Sequence, residues 1–138
     1  RYYFTDKRGF LTAMLDRGFD DLVDAGATAE PLVDVFHALT ARLNAMPWLP
    51  ILIMQSVYIS DELRAHFLAK HAPRLARMLR DSFQSRTSID PRLGTLSLIA
   101  MLTFPQIARP VVEEIIGVQF DPAFAASYAD HVAQLFNT

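Results

Sequence analysis

Apolar residues recur three and four positions apart along most of this chain, with charged residues between them. Phe10, Leu11, Met14, Leu15, Phe19, Leu22 and Val23 form one stripe, and Lys7, Arg8, Asp16, Arg17, Asp20, Asp21 and Asp24 fill the opposite side. This spacing predicts an amphipathic helix over Asp6–Ala25. Thr5 or Asp6 is placed to cap its start, and Gly26 to end it in the left-handed conformation. A second stripe follows in Leu32, Val35, Phe36, Leu39, Leu43 and Met46. Thr28 is its expected cap, Glu30 and Pro31 lie in its first turn, and Pro47 stops it or starts the next element.

Trp48 to Ile59 carries no charge, and among helical neighbours it reads as a short helix buried on most sides. Ser60, Asp61 and Glu62 restart the amphipathic pattern with a cap and acids at the positive helix end. The pattern continues through Leu63, Phe67, Leu75, Met78, Leu79 and Phe83, and Pro73 predicts a kink near His71. After a QSRTSID loop, Asp90 caps and Pro91 begins a helix running to Phe104, where Pro105 is expected to break it. A short helical piece ends at Gly117, and Asp121 and Pro122 start a last helix reaching about Phe136. No hairpin signal occurs. The fold class is all-α, a helical bundle of about six to seven helices.

The length of 138 residues suits one core. A net charge of −2 gives no overall electrostatic footprint for nucleic acid, and the absence of cysteine excludes disulfides and thiolate metal sites. The most apolar run, PWLPILIM, is too short to span a bilayer, so no membrane partner is expected. No phosphate loop, nucleophile elbow or H-E-x-x-H motif is present, so no catalytic residues and no cofactor are expected. His66 and His71, five apart, share a helix face poorly. The run Asp16, Asp20, Asp21 and Asp24 reads as a solvated face, and no metal site is expected. Lys70, Arg74, Arg77 and Arg80 likewise read as a solvated face rather than a nucleic-acid surface. Glu113 and Glu114 are adjacent and point apart.

The opening RYYFTDKRGFL places Tyr2, Tyr3 and Phe4 before Asp6, Lys7, Phe10 and Leu11. This resembles the junction in tetracycline-repressor (TetR) family regulators, where a DNA-recognition helix ends in an aromatic-rich pattern, then a cap, Lys and an apolar-striped helix. The family often has Glu after the Lys; Arg8 stands here and removes a capping-box bond. The resemblance implies that residues 1–5 end a DNA-recognition helix and that residues 6–138 form an effector-binding and dimerisation domain. It further implies a cytoplasmic regulator, a homodimer, a small-molecule effector, and DNA contacts made only through a helix-turn-helix absent from this segment.

Gln55 and Tyr58, three apart in the uncharged segment, share a face flanked by Trp48, Leu52 and Met54. Convergent polar groups in an apolar wall describe an effector pocket, although each residue alone also matches an ordinary buried polar group. The expected lining is Phe36, Trp48, Gln55, Tyr58, His71 and Met101, with His37 a further candidate. From Pro91 to Phe104 the only charged residue is Arg92, so that helix is expected to be covered on two sides. Leu93, Leu96, Ile99 and Ala100, with Tyr128 and Val132 of the last helix, are the expected dimer interface, a four-helix bundle across a two-fold axis. The alternative reading is a stand-alone helical enzyme or adaptor with a hydrophobic pocket.

Overall fold

The computed structural model describes residues 2–29, 32–84 and 88–136; the side chains of residues 2–6 and 84 lie outside that description. Expectations about the aromatic trio's packing, Glu30 and Pro31 therefore fall outside the described residues. Those described form eight helices and no strand: α1 (Tyr2–Ala27), α2 (Leu32–Ala45), α3 (Trp48–Ile59), α4 (Asp61–Lys70), α5 (Ala72–Gln84), α6 (Pro91–Ile107), α7 (Arg109–Ile116) and α8 (Pro122–Phe136). The fold is all-α, as the periodicity predicts.

The core draws on six of these helices. Leu15, Phe19 and Leu22 of α1 meet Val35, Phe36, Leu39 and Leu43 of α2, Leu49 and Leu52 of α3, Leu79 and Phe83 of α5, Leu98 and Leu102 of α6, and Val132 and Phe136 of α8. Phe136 packs its ring against both Phe36 and Phe83, with centroids 5.5 and 5.2 Å away. This aromatic cluster anchors the C-terminal helix over α2. Along α8 the buried stripe is Ala125, Ala129, Val132 and Phe136; the small residues let the two helices approach closely.

Three helix starts are capped by short polar side chains. Ser60 Oγ accepts from Leu63 N at 3.2 Å, Asp90 Oδ1 from Arg92 N at 2.8 Å, and Asp121 Oδ1 from Phe124 N at 2.8 Å. Gly117, at φ 78°, ends α7 in the left-handed region. Gly26 does not play that part. It lies inside α1, and a Cβ built on it would fall 2.6 Å from Met78 Sδ and 3.0 Å from Leu39 Cδ2. Space against α2 and α5, not backbone conformation, is what this position requires.

Four further expectations are corrected. Thr5 and Asp6 lie within α1, which runs unbroken from Tyr2, and not ahead of its start. Thr28 closes α1 rather than opening α2, its hydroxyl donating to Asp24 O at 3.2 Å. In α3, Leu49, Pro50, Leu52 and Ser56 face inward while Trp48, Ile51, Met54, Gln55, Tyr58 and Ile59 are exposed; an uncharged sequence does not fix how many neighbours surround it.

Pro105 does not break α6, which continues to Ile107. A proline there leaves Met101 O without its i+4 amide donor. The Tyr128 hydroxyl of α8 donates to that same oxygen at 2.6 Å, replacing the missing bond from another helix. The kink expected near His71 does form, and it is sharp enough to make His71 a turn residue separating α4 from α5. Among the described residues no single helix is long and apolar enough to cross a membrane, and the joined α6–α7 pair is bent by 90°.

Candidate functional site

The helix break at His71 turns that side chain inward, where it is fully buried. On a continuous helix His66 and His71 would diverge. The break brings their rings to 5.7 Å, centroid to centroid. Both face Asp16 of α1: its Oδ1 meets His66 Nε2 at 2.7 Å and His71 Nε2 at 2.6 Å. The other carboxylate oxygen receives Lys70 Nζ at 3.1 Å. Phe19 and Phe67 enclose His71, with ring centroids 4.9 and 6.1 Å from the imidazole.

Arg74, in the first turn of α5, completes the arrangement. One guanidinium nitrogen donates to Asp20 Oδ1 at 2.5 Å and also contacts His71 Nδ1 at 3.1 Å. A guanidinium only donates, so Nδ1 of neutral His71 accepts and its proton sits on Nε2, directed at Asp16. Burial pushes the His71 pKa down, opposed by the Asp16 carboxylate, while the nearby Arg74 and Lys70 charges push it down further. For Asp16, burial acts upward, but hydrogen bonds from His66, His71 and Lys70 outweigh it and hold the carboxyl at about 2. At neutral pH the cluster therefore holds a carboxylate beside a neutral buried imidazole.

This changes the reading of two charged faces. Asp16 and Asp20 are turned toward the α4–α5 break, not left on a solvated face, and Lys70 and Arg74 pair with them. Arg77 and Arg80 remain exposed, and Asp21 pairs with Arg42 of α2 at 3.4 Å. The sequence contained both halves of the signal, a His-x4-His spacing and a proline two residues past the second histidine. The third partner is 50 residues upstream of His66, and only the packing of α1 on α5 supplies it.

The expected effector wall is not gathered into one cavity. Phe36 is a core residue beneath Phe136, and Met101 packs half-buried against the core. Trp48 lies across Gly18, and His71 belongs to the Asp16 cluster. Gln55 and Tyr58 share a face, but it is the outward one, and Tyr58 is 75% exposed. A cleft of about 360 Å³ lies instead between α2 and α8, lined by His37, Asn44, Pro122 and four alanines. His37 Nε2 contacts Asp130 Oδ1 at 2.6 Å beside it, and Asn44 Oδ1 is buried there with no hydrogen-bond partner among the described residues.

The expected dimer residues divide. Leu93 and Leu96 are 63% and 65% exposed, and Ala100 lies on the same outward side of α6. Ile99 is half-buried against the subunit's own core. Val132 is fully inside that core, and Tyr128 is committed to Met101 O, so neither faces outward as expected. The inward stripe of α8 is the one containing its alanines, which the larger Phe124–Tyr128–Val132–Leu135 series obscures. No protein-family model matches the chain, and no curated protein or solved structure is recognisably similar to it.

Proposed function

We propose that this chain is the effector-binding and dimerisation part of a TetR-like, ligand-responsive transcriptional regulator. The observation that carries this reading is the unbroken course of α1. The helix begins in the aromatic opening that resembles the regulator junction and continues to Asp16 and on to Gly26. A ligand that binds one placement of α1 better than another shifts the balance between them by its difference in affinity. A rigid helix then carries that difference toward the end where a DNA-binding head is attached.

A second feature supports the homodimer this mechanism requires. Leu93, Leu96, Ala100 and Phe104 lie at i, i+3, i+7 and i+11 along α6, and all four are exposed, while Gly94, Leu98 and Leu102 fill the opposite, buried side. A helix apolar on both sides is suited to cover by a second copy across a two-fold axis, an obligate interface burying about 2,000 Å² or more in total.

Two measurements test the proposal. Sedimentation at micromolar concentration gives the dimer mass, and Leu96→Asp, at an exposed site that leaves the core intact, gives the monomer. On this reading, the frame upstream of Arg1 should encode a helix-turn-helix over about forty to fifty residues. A monomeric wild type, or a frame without that pattern, overturns the regulator.

A further inference from the structure

We infer that Asp16, His66 and His71 form a binding site for a divalent transition-metal ion of the zinc class. Each residue presents one ligand atom, and the three atoms lie within 4.8 Å of one another. They come from α1, α4 and the α4–α5 break, so the set is assembled by tertiary packing and not by adjacency in sequence.

The donor set selects the ion. Two imidazole nitrogens and one carboxylate oxygen suit zinc, cobalt(II), nickel(II) or copper(II). Calcium and magnesium require an oxygen-rich shell, and a single carboxylate does not supply it. The protonation states also fit, because metal ligation uses the carboxylate and the neutral imidazole. Lys70 holds Asp16 Oδ2 at 3.1 Å and leaves Oδ1 as the ligating atom, the role of an outer-shell partner. Bonds of about 2.0–2.2 Å to a tetrahedral centre place donors about 3.3 Å apart. The two nitrogens, now 2.6 and 2.7 Å from Oδ1, therefore separate from it by about 0.6–0.7 Å when an ion enters. His66 and Asp16 retain partial exposure while His71 has none, so the ion enters from the His66 side and its fourth position stays open to water.

One contact opposes the ion and supplies a specific test. Metal at His71 Nε2 moves the imidazole proton to Nδ1, where it meets the Arg74 guanidinium, itself only a donor. Arg74 must then withdraw toward Asp20, to which it is already bonded. Removing that guanidinium should tighten binding, whereas Arg74 serving only as structural support predicts no such gain.

The ion would join α1 to the α4–α5 break. Any effect of that link on DNA binding rests on the regulator reading; the binding itself does not. The test is titration of the metal-free protein with cobalt(II), followed by its visible d–d absorption, with zinc as competitor. The expected result is one ion per chain with the intense bands of a four-coordinate nitrogen–oxygen site, displaced by zinc. His66→Ala, at a partly exposed position, should weaken binding by about 100-fold or more, since loss of an outer-shell partner alone costs 10–100-fold. Arg74→Met should strengthen it. His37→Ala, in the separate α2–α8 cleft, should leave it unchanged.

Absence of saturable binding overturns the site, as does a cobalt spectrum unaltered by His66→Ala. Failure of Arg74→Met to tighten binding overturns ligation through His71 Nε2. The titration reads the site alone, and sedimentation reads the dimer, so the metal site and the regulator can fail separately.

Discussion

Replacing Tyr128 by Phe removes one oxygen atom and leaves the ring packed on Phe120, whose centroid is 5.8 Å away. The lost atom is the donor that Met101 O receives at 2.6 Å in place of an amide at Pro105. An acceptor left unmade in a half-buried helix costs about 1–3 kcal/mol. Burial pushes the Tyr128 pKa up, placing the hydroxyl where water competes poorly for that bond. For a chain of this length, Tyr128→Phe should lower Tm by about 3–5 °C per kcal/mol. Pro105→Ala restores an amide donor to the same carbonyl. In that background the Tyr128→Phe cost should fall to about 0.5 kcal/mol, a coupling of about 0.5–2.5 kcal/mol in a double-mutant cycle. Urea unfolding of the four proteins, at one fixed chain concentration because association shifts apparent stability, provides the assay. Equal cost of Tyr128→Phe in both backgrounds would refute the account of how α6 carries Pro105.

Gly26→Val should destabilise the fold by about 1–3 kcal/mol through overpacking against Met78 and Leu39, measured by urea midpoint. Gly9→Ala, with nothing within 4 Å of its built Cβ, should instead gain about 0.5–1 kcal/mol. Equal effects at the two sites would remove the packing argument. Asp90→Ala should lower the melting temperature by uncapping α6. The Arg92 side chain, followed by its backbone amide, holds the Asp90 carboxyl below its ordinary value. A folded pKa below the unfolded one means the stabilisation is complete above about pH 3.9 and declines as pH falls through the folded value. A wild-type minus Asp90→Ala difference that grows as pH falls through that window would contradict the cap.

What the sequence disclosed follows from what is local. The helical class, the caps at Ser60 and Asp90, the helix start at Asp121, the helix end at Gly117 and the kink before Pro73 each depend on a few neighbouring residues, and each stands in the structure. The errors arise where a distant partner decides. Pro105 reads as a breaker until Tyr128 supplies the missing donor. Gly26 reads as a cap until Met78 is seen to lie against it. Gln55 and Tyr58 share a face, as their spacing requires, but periodicity cannot tell which face a short uncharged helix turns to the core. The Asp16 cluster combines the two situations. A local kink turns His71, and a long-range packing contact delivers Asp16.

Gly18 and Gly26 lie on α1 where other helices press against bare backbone. A Cβ at Gly18 would sit 2.9 Å from the Trp48 ring and 3.0 Å from Leu49, and one at Gly26 still nearer Met78. The same-face neighbours of Gly18, Leu15 and Leu22, are buried side chains with no room for displacement toward these notches. Sliding α1 along its axis would push them into Trp48 and Leu49. The two notches therefore hold α1 against thrust along its axis, as a pair of shoulders holds a shaft.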